Sequence, residues 1–347
     1  MSERLVSVGL DVGTTSTQLI VSELTVENRA GSFAVPEMAI TQRKIRYQSP
    51  VYFTPLVEES RVDGPRIREI VEREYEKAGI TRKGVDTGAI IITGETSRKE
   101  NARTVLHSLA DFAGEFVVAT AGPDLESALA ARGAGAVDFS QKTGKRVLHM
   151  DIGGGTSNLA LIENGKILQT GCLNVGGRLL KMDETGKVLY ISPVLDKLCK
   201  LKEGEQASRE EVERIAGILT EALEMAAGFK EQTQLLTELW TKEEGLSPEA
   251  FLEKILIGER PVISFSGGVA DCIETRQEWL KFGDIGPALG QTIGKSRLCA
   301  GEYRLGSETI RATVIGAGCH SAQLSGSTVF YQNYSLPVVV KTLILTR

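Results

Sequence analysis

At 347 residues the chain has room for about two domains of roughly 150 residues each, and its 41% hydrophobic and 24% charged content is ordinary for a globular protein. A net charge of −5 with no block of Lys or Arg argues against a nucleic-acid binder or a polybasic membrane anchor. No apolar run approaches the ~18 residues of a membrane span, and the N-terminus enters a strand with no secretory leader, so the expected location is cytoplasmic.

Taken in chain order, "RLVSVGLDVG" predicts an apolar strand ending in Asp-x-Gly, and "STQLIVSEL" a strand returning from it. "QSPVYFTPL" reads as a Pro-broken, edge-like segment. "PRIREIVEREYEKAGI" predicts an amphipathic helix opened by Pro65 and closed by Gly79. "GAIIITG" and "EFVVATAG" predict buried strands, and "DLESALAARGAG" a helix. "RVLHMDIGGG" and "TSNLALIENG" then repeat the opening pair, with Asn164-Gly165 as a type I′ hairpin turn into "KILQTGCLNV". In "SREEVERIAGILTEALEMAAGF", Ser208 and Glu211 form a capping box, and Val212, Ile215, Leu219, Ala222, Ala226 and Phe229 keep the spacing of one buried helix face. "PVISFSGGVADCIE" predicts a strand ending in a small-residue turn and passing into a helix.

Asp11, Gly13 and Ser16 recur as Asp151, Gly153 and Thr156 at a constant offset of 140 residues. Two copies of one arrangement predict a duplicated α/β domain with a cleft between the copies. The turns themselves suggest the chemistry. Glycines let backbone N–H groups converge on an anion, and Thr14, Thr15 and Thr156 add hydroxyl donors, which makes a phosphate cradle. An aspartate in each cradle would repel a bare polyphosphate. The conflict resolves if Mg²⁺ lies between them, so Asp11 and Asp151 are expected to hold a hydrated Mg²⁺ or to orient the attacking water.

Other polar residues offer less. Cys172, Cys199, Cys272, Cys299 and Cys319 are an odd count with no C-x-x-C pair, as expected of reduced thiols. His107, His149 and His320 are scattered, and His149 is expected in a core or cross-strand role. Adjacent Cys319 and His320 make an awkward ligand pair, because neighbours point apart on strand and helix alike. "GQTIGKS" is one residue short of a Walker A loop, so it is expected as a surface loop with Lys295 solvated.

These residues resemble the superfamily of actin, Hsp70 and sugar-kinase ATPases. "LDVGTTST" and "MDIGGGTSN" are similar to its two phosphate motifs, "LNVGGRLL" to the segment after the second, "ISFSGGVADCIE" to its adenosine motif and "PDLESALAARGAG" to its connecting helix. The resemblance implies two related actin-like ATPase (ribonuclease H-like) domains with a nucleotide cleft between them. The first would cover residues 1–145 with an inserted subdomain near 30–85, and the second 146–347. It implies ATP or ADP with Mg²⁺ as ligands. Gly13, Thr14, Thr15, Gly153, Gly154, Gly155, Thr156, Ser266, Gly267 and Gly268 would bind the nucleotide, with Asp11, Asp151 and Glu126 as catalytic carboxylates; Asp124 is the other candidate on the connecting helix.

Within the superfamily, "QSPVYFTPL", "IITGETSRKENA", "VVATAGPDLESALAARGAGA", "CLNVGGRLL" and "RATVIGAGCHSAQLSGSTVF" resemble the ethanolamine ammonia-lyase reactivating factors, the EutA family. That resemblance implies a chaperone-like ATPase that frees the lyase of damaged cobalamin. It also implies a cytoplasmic location in association with a bacterial microcompartment, with the lyase as partner, no nucleic acid or membrane, and self-association left open. The chain lacks the Asp-x-His-x-x-Gly signature of base-off cobalamin binders, which fits a factor acting on the enzyme that holds the cofactor. The family pattern runs on past "STVFYQNYSLP", whereas this chain ends at "VVVKTLILTR", so a shortened C-terminal part is expected. Three other readings stay open from sequence. One is a small-molecule kinase using Asp124, Glu126 or Glu95 as base. Another is an actin-like filament or nucleotide-binding scaffold. The third, a radical-dehydratase activator with an iron–sulfur cluster, ranks low because Cys172 alone lies near the second motif.

Overall fold

The computed structural model describes residues 2–13, 16–28, 38–58, 61–93, 101, 104–105, 108–109, 116–120, 122–241, 247–306 and 309–317. The chain divides into two compact units, one of Met1–Ala121 together with Ala317–Arg347 and the other of Gly122–Gly316. No helix among the described residues is long and apolar enough to cross a membrane.

In the first unit, β1 (Ser2–Val12), β2 (Ser16–Asn28) and β3 (Met38–Gln48) form an antiparallel meander. β4 (Tyr52–Phe53) pairs with β2 as a short edge piece, as the flanking prolines predict. Leu56–Glu58 (β5) and Arg61–Val62 (β6) form a small ribbon. β7 (Thr87–Ile92) and β8 (Phe116–Thr120) then run parallel to β1, giving the order β3-β2-β1-β7-β8. Every residue of β7 is buried, as expected of a parallel strand covered on both faces. α1 (Gly64–Ala78) has Pro65 in its first turn, and Asp63 accepts from the Arg66 N–H at 3.1 Å as its N-cap. It ends at Gly79, whose φ of 65° is left-handed. Ile67 and Val71 of α1 pack on Leu10, Val12, Ile90 and Ile92. Its buried Glu74 accepts from the hydroxyls of Tyr47 and Tyr52, both at 2.6 Å, and from Lys77 at 2.8 Å.

The second unit repeats the plan. After α2 (Pro123–Gly133) and α3 (Ala136–Thr143) come β9 (Val147–Ile152), β10 (Ser157–Glu163) and β11 (Lys166–Leu173), another antiparallel meander. Asn164 and Gly165 both have positive φ, 49° and 75°, as the type I′ turn requires. β12 (Leu180–Met182) and β13 (Val188–Ile191) form a side ribbon. β14 (Val262–Ser266) and β15 (Tyr303–Leu305) complete the order β11-β10-β9-β14-β15, the same path as in the first unit.

α4 (Arg209–Ala226) carries the expected capping box: Ser208 Oγ accepts from Glu211 N–H at 3.2 Å, and Glu211 accepts from Ser208 N–H at 3.0 Å. Its apolar face packs on Leu148, Met150 and Ile152, the even positions of β9. α2 and α3 cover the opposite face through Ala131, Ala136 and Val137 against Val147, Ala160 and Ile162. α5 (Gln234–Leu239) and α6 (Pro248–Leu256) cap this unit's core through Leu236, Leu239, Phe251 and Ile255.

Two expectations need correction. "GQTIGKS" is not a surface loop: Gly286–Gly294 is a helix, α7, and a Cβ on Gly290 would lie 2.4 Å from Cys272 Cβ. Its glycines serve close helix packing, although Lys295 is indeed exposed. After Gly267-Gly268 the chain makes a 3-10 turn, Ala270–Cys272, in place of a full helix.

Candidate functional site

Asp11 is the last residue but one of β1 and is 7% exposed; Asp151 holds the same place in β9 and is also 7% exposed. The strand registers that hold them are alike. Asp11 faces Gln18 across β1–β2, and Asp151 faces Asn158 across β9–β10. Each aspartate accepts a hydroxyl from the β7 or β14 side of its own sheet. Thr93 Oγ1 donates to Asp11 Oδ1 at 3.0 Å, and Ser266 Oγ donates to Asp151 Oδ1. Thr313 Oγ1, on the helical segment 312–317, lies 3.5 Å from Asp151 Oδ2.

The turns that follow close identically. Gly13 N–H donates to Ser16 O at 2.8 Å, and Gly153 N–H to Thr156 O at 2.9 Å. Thr54 Oγ1 also donates to Gly13 O at 2.8 Å, tying β4 to the first turn. Thr14 and Thr15, like Glu95, His107, Cys319 and His320, lie outside the described residues.

The second turn is held from beneath by the Gly176-Gly177-Arg178 segment. Gly177 N–H donates to Gly153 O at 3.0 Å and Arg178 N–H to Gly154 O at 2.7 Å. A Cβ on Gly176 would come within 2.4 Å of Gly154 O, so only glycine fits there. Gly267, with φ 87°, has the same duty: a Cβ there would meet Ile152 O at 2.2 Å. Gly155 is different. A Cβ on it would face open space, and Gly268 is nearly as open.

Electrostatics distinguish Asp151 from an ordinary carboxylate. Burial pushes it up to about 6, against the pull of the Ser266 and Thr313 hydrogen bonds. Burial, with Arg304 nearby, pushes His149 down to about 3, so its imidazole is neutral. His149 lies in the sheet core as expected, bonded to Ser264 and Ser266. Burial likewise raises Asp284, although Gly286 N–H and Arg178 counter it. Glu126 sits half-buried in the first turn of α2, while Asp124 accepts from Thr170 Oγ1.

Sequence reasoning missed four residues here: Thr93, Asn158, Thr313 and Arg178. The methylenes of Arg178 lie 3.5–3.6 Å from where a Gly154 Cβ would stand, and its Nε is 3.5 Å from Asp284 Oδ2. A guanidinium is thereby fixed beside the second glycine turn. Its place directly after the Gly-Gly pair was the available signal.

A meander ending in a buried aspartate and a hydrogen-bonded glycine turn, occurring twice with the same strand order, defines an α/β protein of the actin-like ATPase fold. An exopolyphosphatase-like protein, 12% identical over 93% of this chain and 99% of its own, shares the fold at a TM-score of 0.50. The chain belongs to the family described as ethanolamine utilisation protein EutA, whose model matches residues 3–344. It is 39% identical over 353 residues to the ethanolamine ammonia-lyase reactivase EutA of Salmonella typhimurium (strain LT2), covering 97% of this chain and 72% of that protein. With the reactivase EutA of Escherichia coli (strain K12) it shares 40% over 347 residues, with the same coverage.

Proposed function

We propose that this chain is a chaperone-like, ATP-dependent reactivating factor for adenosylcobalamin-dependent ethanolamine ammonia-lyase, promoting release of damaged cobalamin so that intact coenzyme can bind. The observation that carries it is the pair of matching turns, each a buried aspartate followed by a hydrogen-bonded glycine turn, in a chain of the EutA family. The partner follows from the relatives, which are reactivases of that lyase by name.

ATP with Mg²⁺ is the implied ligand, and the described residues of the second turn fit it. Asn158, opposite Asp151, is 2% exposed, and its Oδ1 accepts no hydrogen bond among the described residues. A bare acceptor oxygen beside a desolvated carboxylate suits a hydrated divalent cation, which takes one or two carboxylates and keeps its waters. When bound, Mg²⁺ neutralises phosphate charge and ATP supplies the free energy of hydrolysis.

The protein's own part is positional. Gly154 and Gly155 offer backbone N–H groups and Thr156 a hydroxyl to phosphate oxygens, while Gly153 shapes the turn with its own N–H on Thr156 O; Gly13, Thr14 and Thr15 are the counterparts in the first turn. Asp11 and Asp151 hold the hydrated cation or orient the attacking water, and Glu126 is the third carboxylate assigned to that task. Ser266, Gly267 and Gly268 place the end of β14 against the nucleoside. In this reading nucleotide biases a bistable element that is coupled to the lyase. Coupling requires the two nucleotide states to differ in affinity for the lyase.

The test uses lyase locked with hydroxocobalamin, to which this protein, ATP, Mg²⁺ and adenosylcobalamin are added. Ammonia release that returns only with ATP is the expected result. Phosphate release without recovery of ammonia release removes the reactivase role and leaves the ATPase.

A further inference from the structure

Four polar side chains share one face of the second sheet. His149 and Asp151 are two residues apart on β9 and point the same way. The parallel register sets Ser264 beside His149 and Ser266 beside Asp151. His149, Ser264 and Ser266 are each 0% exposed. Ser264 Oγ lies 3.1 Å from His149 Nδ1, His149 Nε2 lies 2.9 Å from Ser266 Oγ, and Ser266 Oγ meets Asp151 Oδ1.

Counting donors fixes the direction of this chain. An ionised carboxylate only accepts, so the single hydroxyl proton of Ser266 goes to Asp151. Ser266 Oγ must then accept from the ring, which puts the imidazole proton on Nε2. A neutral ring has one N–H, so Nδ1 is left as acceptor and Ser264 donates to it. This one arrangement leaves no member unsatisfied.

Packing alone gives no reason for the imidazole. The neighbouring positions of β9 are apolar, and burying a ring and two hydroxyls costs desolvation that an apolar trio would avoid. The internal duplicate supplies the contrast. Asp11 also receives a hydroxyl, but from Thr93, two residues past Ile91, which holds the register position that Ser266 holds beside Asp151. The position 140 residues before His149 is Gly9, so the serine in register with the aspartate and the imidazole behind it both belong to the second copy alone.

We propose that His149 is a positioning residue: through Ser266 it holds Asp151 Oδ1 as an acceptor, and so fixes the orientation of that carboxylate, whose Oδ2 lies 3.5 Å from Thr313 Oγ1, ahead of the second glycine turn. The role rests on the function proposed above, in which Asp151 serves ATP hydrolysis. No proton moves along the chain. Its work is to deny Ser266 any other donor direction.

The 347-residue chain carries three histidines, so selective ¹⁵N-histidine labelling gives a tractable imidazole spectrum, with His149→Phe assigning the signals. The expected result near neutral pH is a neutral ring with a protonated Nε2 and a bare Nδ1. An Nδ1–H tautomer, or a doubly protonated ring, overturns the proposal. Kinetically, His149→Phe should lower kcat for ATP about 10- to 100-fold, as loss of an orienting partner does, with KM little changed. His149→Gln keeps a donor for Ser266 and an acceptor for Ser264, and should recover most of the rate. A wild-type kcat in His149→Phe overturns the positioning role alone. Absence of hydrolysis by the unaltered protein overturns the proposed function and this role with it, whatever the tautomer.

Discussion

The backbone N–H of Gly153 donates to the carbonyl of Thr156 at 2.9 Å, and that turn rests directly on Gly176. Two glycines of this layer therefore answer to different demands. Gly176→Ala would drive a methyl into Gly154 O and should cost about 1–3 kcal/mol of stability, the usual range for overpacking. Gly155→Ala meets open space and should leave the melting temperature alone while weakening ATP binding. Thermal unfolding and calorimetric titration of the two variants separate a glycine required by packing from one required by a ligand.

Asp151 gives a pH signature. Its native carboxyl titrates near 6 because of burial, while an unfolded aspartate titrates near 3.9. Between those values the native chain binds more protons than the unfolded one, so this group makes stability fall as pH rises from about 4 to about 6. Each pKa unit of difference is worth about 1.4 kcal/mol. Asp151→Asn should flatten that part of the stability profile and abolish Mg²⁺-dependent ATP hydrolysis. Bound Mg²⁺ and ATP favour the ionised carboxylate, so they should raise the melting temperature more at pH 7 than at pH 5. An equal rise at both would detach Asp151 from the cation.

Much of this was legible because its causes are local. The Asn164-Gly165 hairpin, the Ser208–Glu211 capping box and the two Asp-x-Gly turns each lie within a few residues, where backbone demands show as residue types. The partners of the aspartates were not legible. Thr93 is 82 residues from Asp11, and Ser266 and Thr313 are 115 and 162 from Asp151. Those contacts are fixed by strand register and helix docking, which leave no periodic trace. The "GQTIGKS" stretch failed for a related reason: glycine admits a neighbouring chain as readily as a phosphate, and Gly290 admits Cys272.

Arg178 should bear on nucleotide affinity. Its guanidinium is held by Asp284 beside the glycine turn, while its backbone N–H, bonded to Gly154 O, survives any side-chain change. Arg178→Gln should therefore keep the turn and weaken ATP binding about tenfold, roughly 1.4 kcal/mol. ADP binding should suffer less if the guanidinium faces the terminal phosphate. Titration with both nucleotides checks this, and equal losses would place the contact nearer the inner phosphates.

Glu74 joins three elements of the first unit, accepting from Tyr47 on β3, Tyr52 on β4 and Lys77 on its own helix. Burial works to raise its carboxyl, but the bonds from Lys77, Tyr47 and Tyr52 outweigh burial and hold it below the ordinary glutamate value. A depressed native pKa contributes stability that is fully present above the unfolded value, about 4.3, and is lost as pH falls through the native one. Glu74→Gln keeps the shape and removes the charge from these bonds, for which a loss of about 1.5–3 kcal/mol at pH 7 is expected. Because the wild type surrenders the same contribution in acid, the gap between the two proteins should narrow as the pH is lowered below 4. β4 is tied to the first turn through Thr54, so the variant should also loosen that turn and raise the exchange rate of the Gly13 amide. Denaturant melts across pH and amide exchange measure both effects. A gap that stays constant with pH would show that the carboxylate charge is not what holds the three elements together.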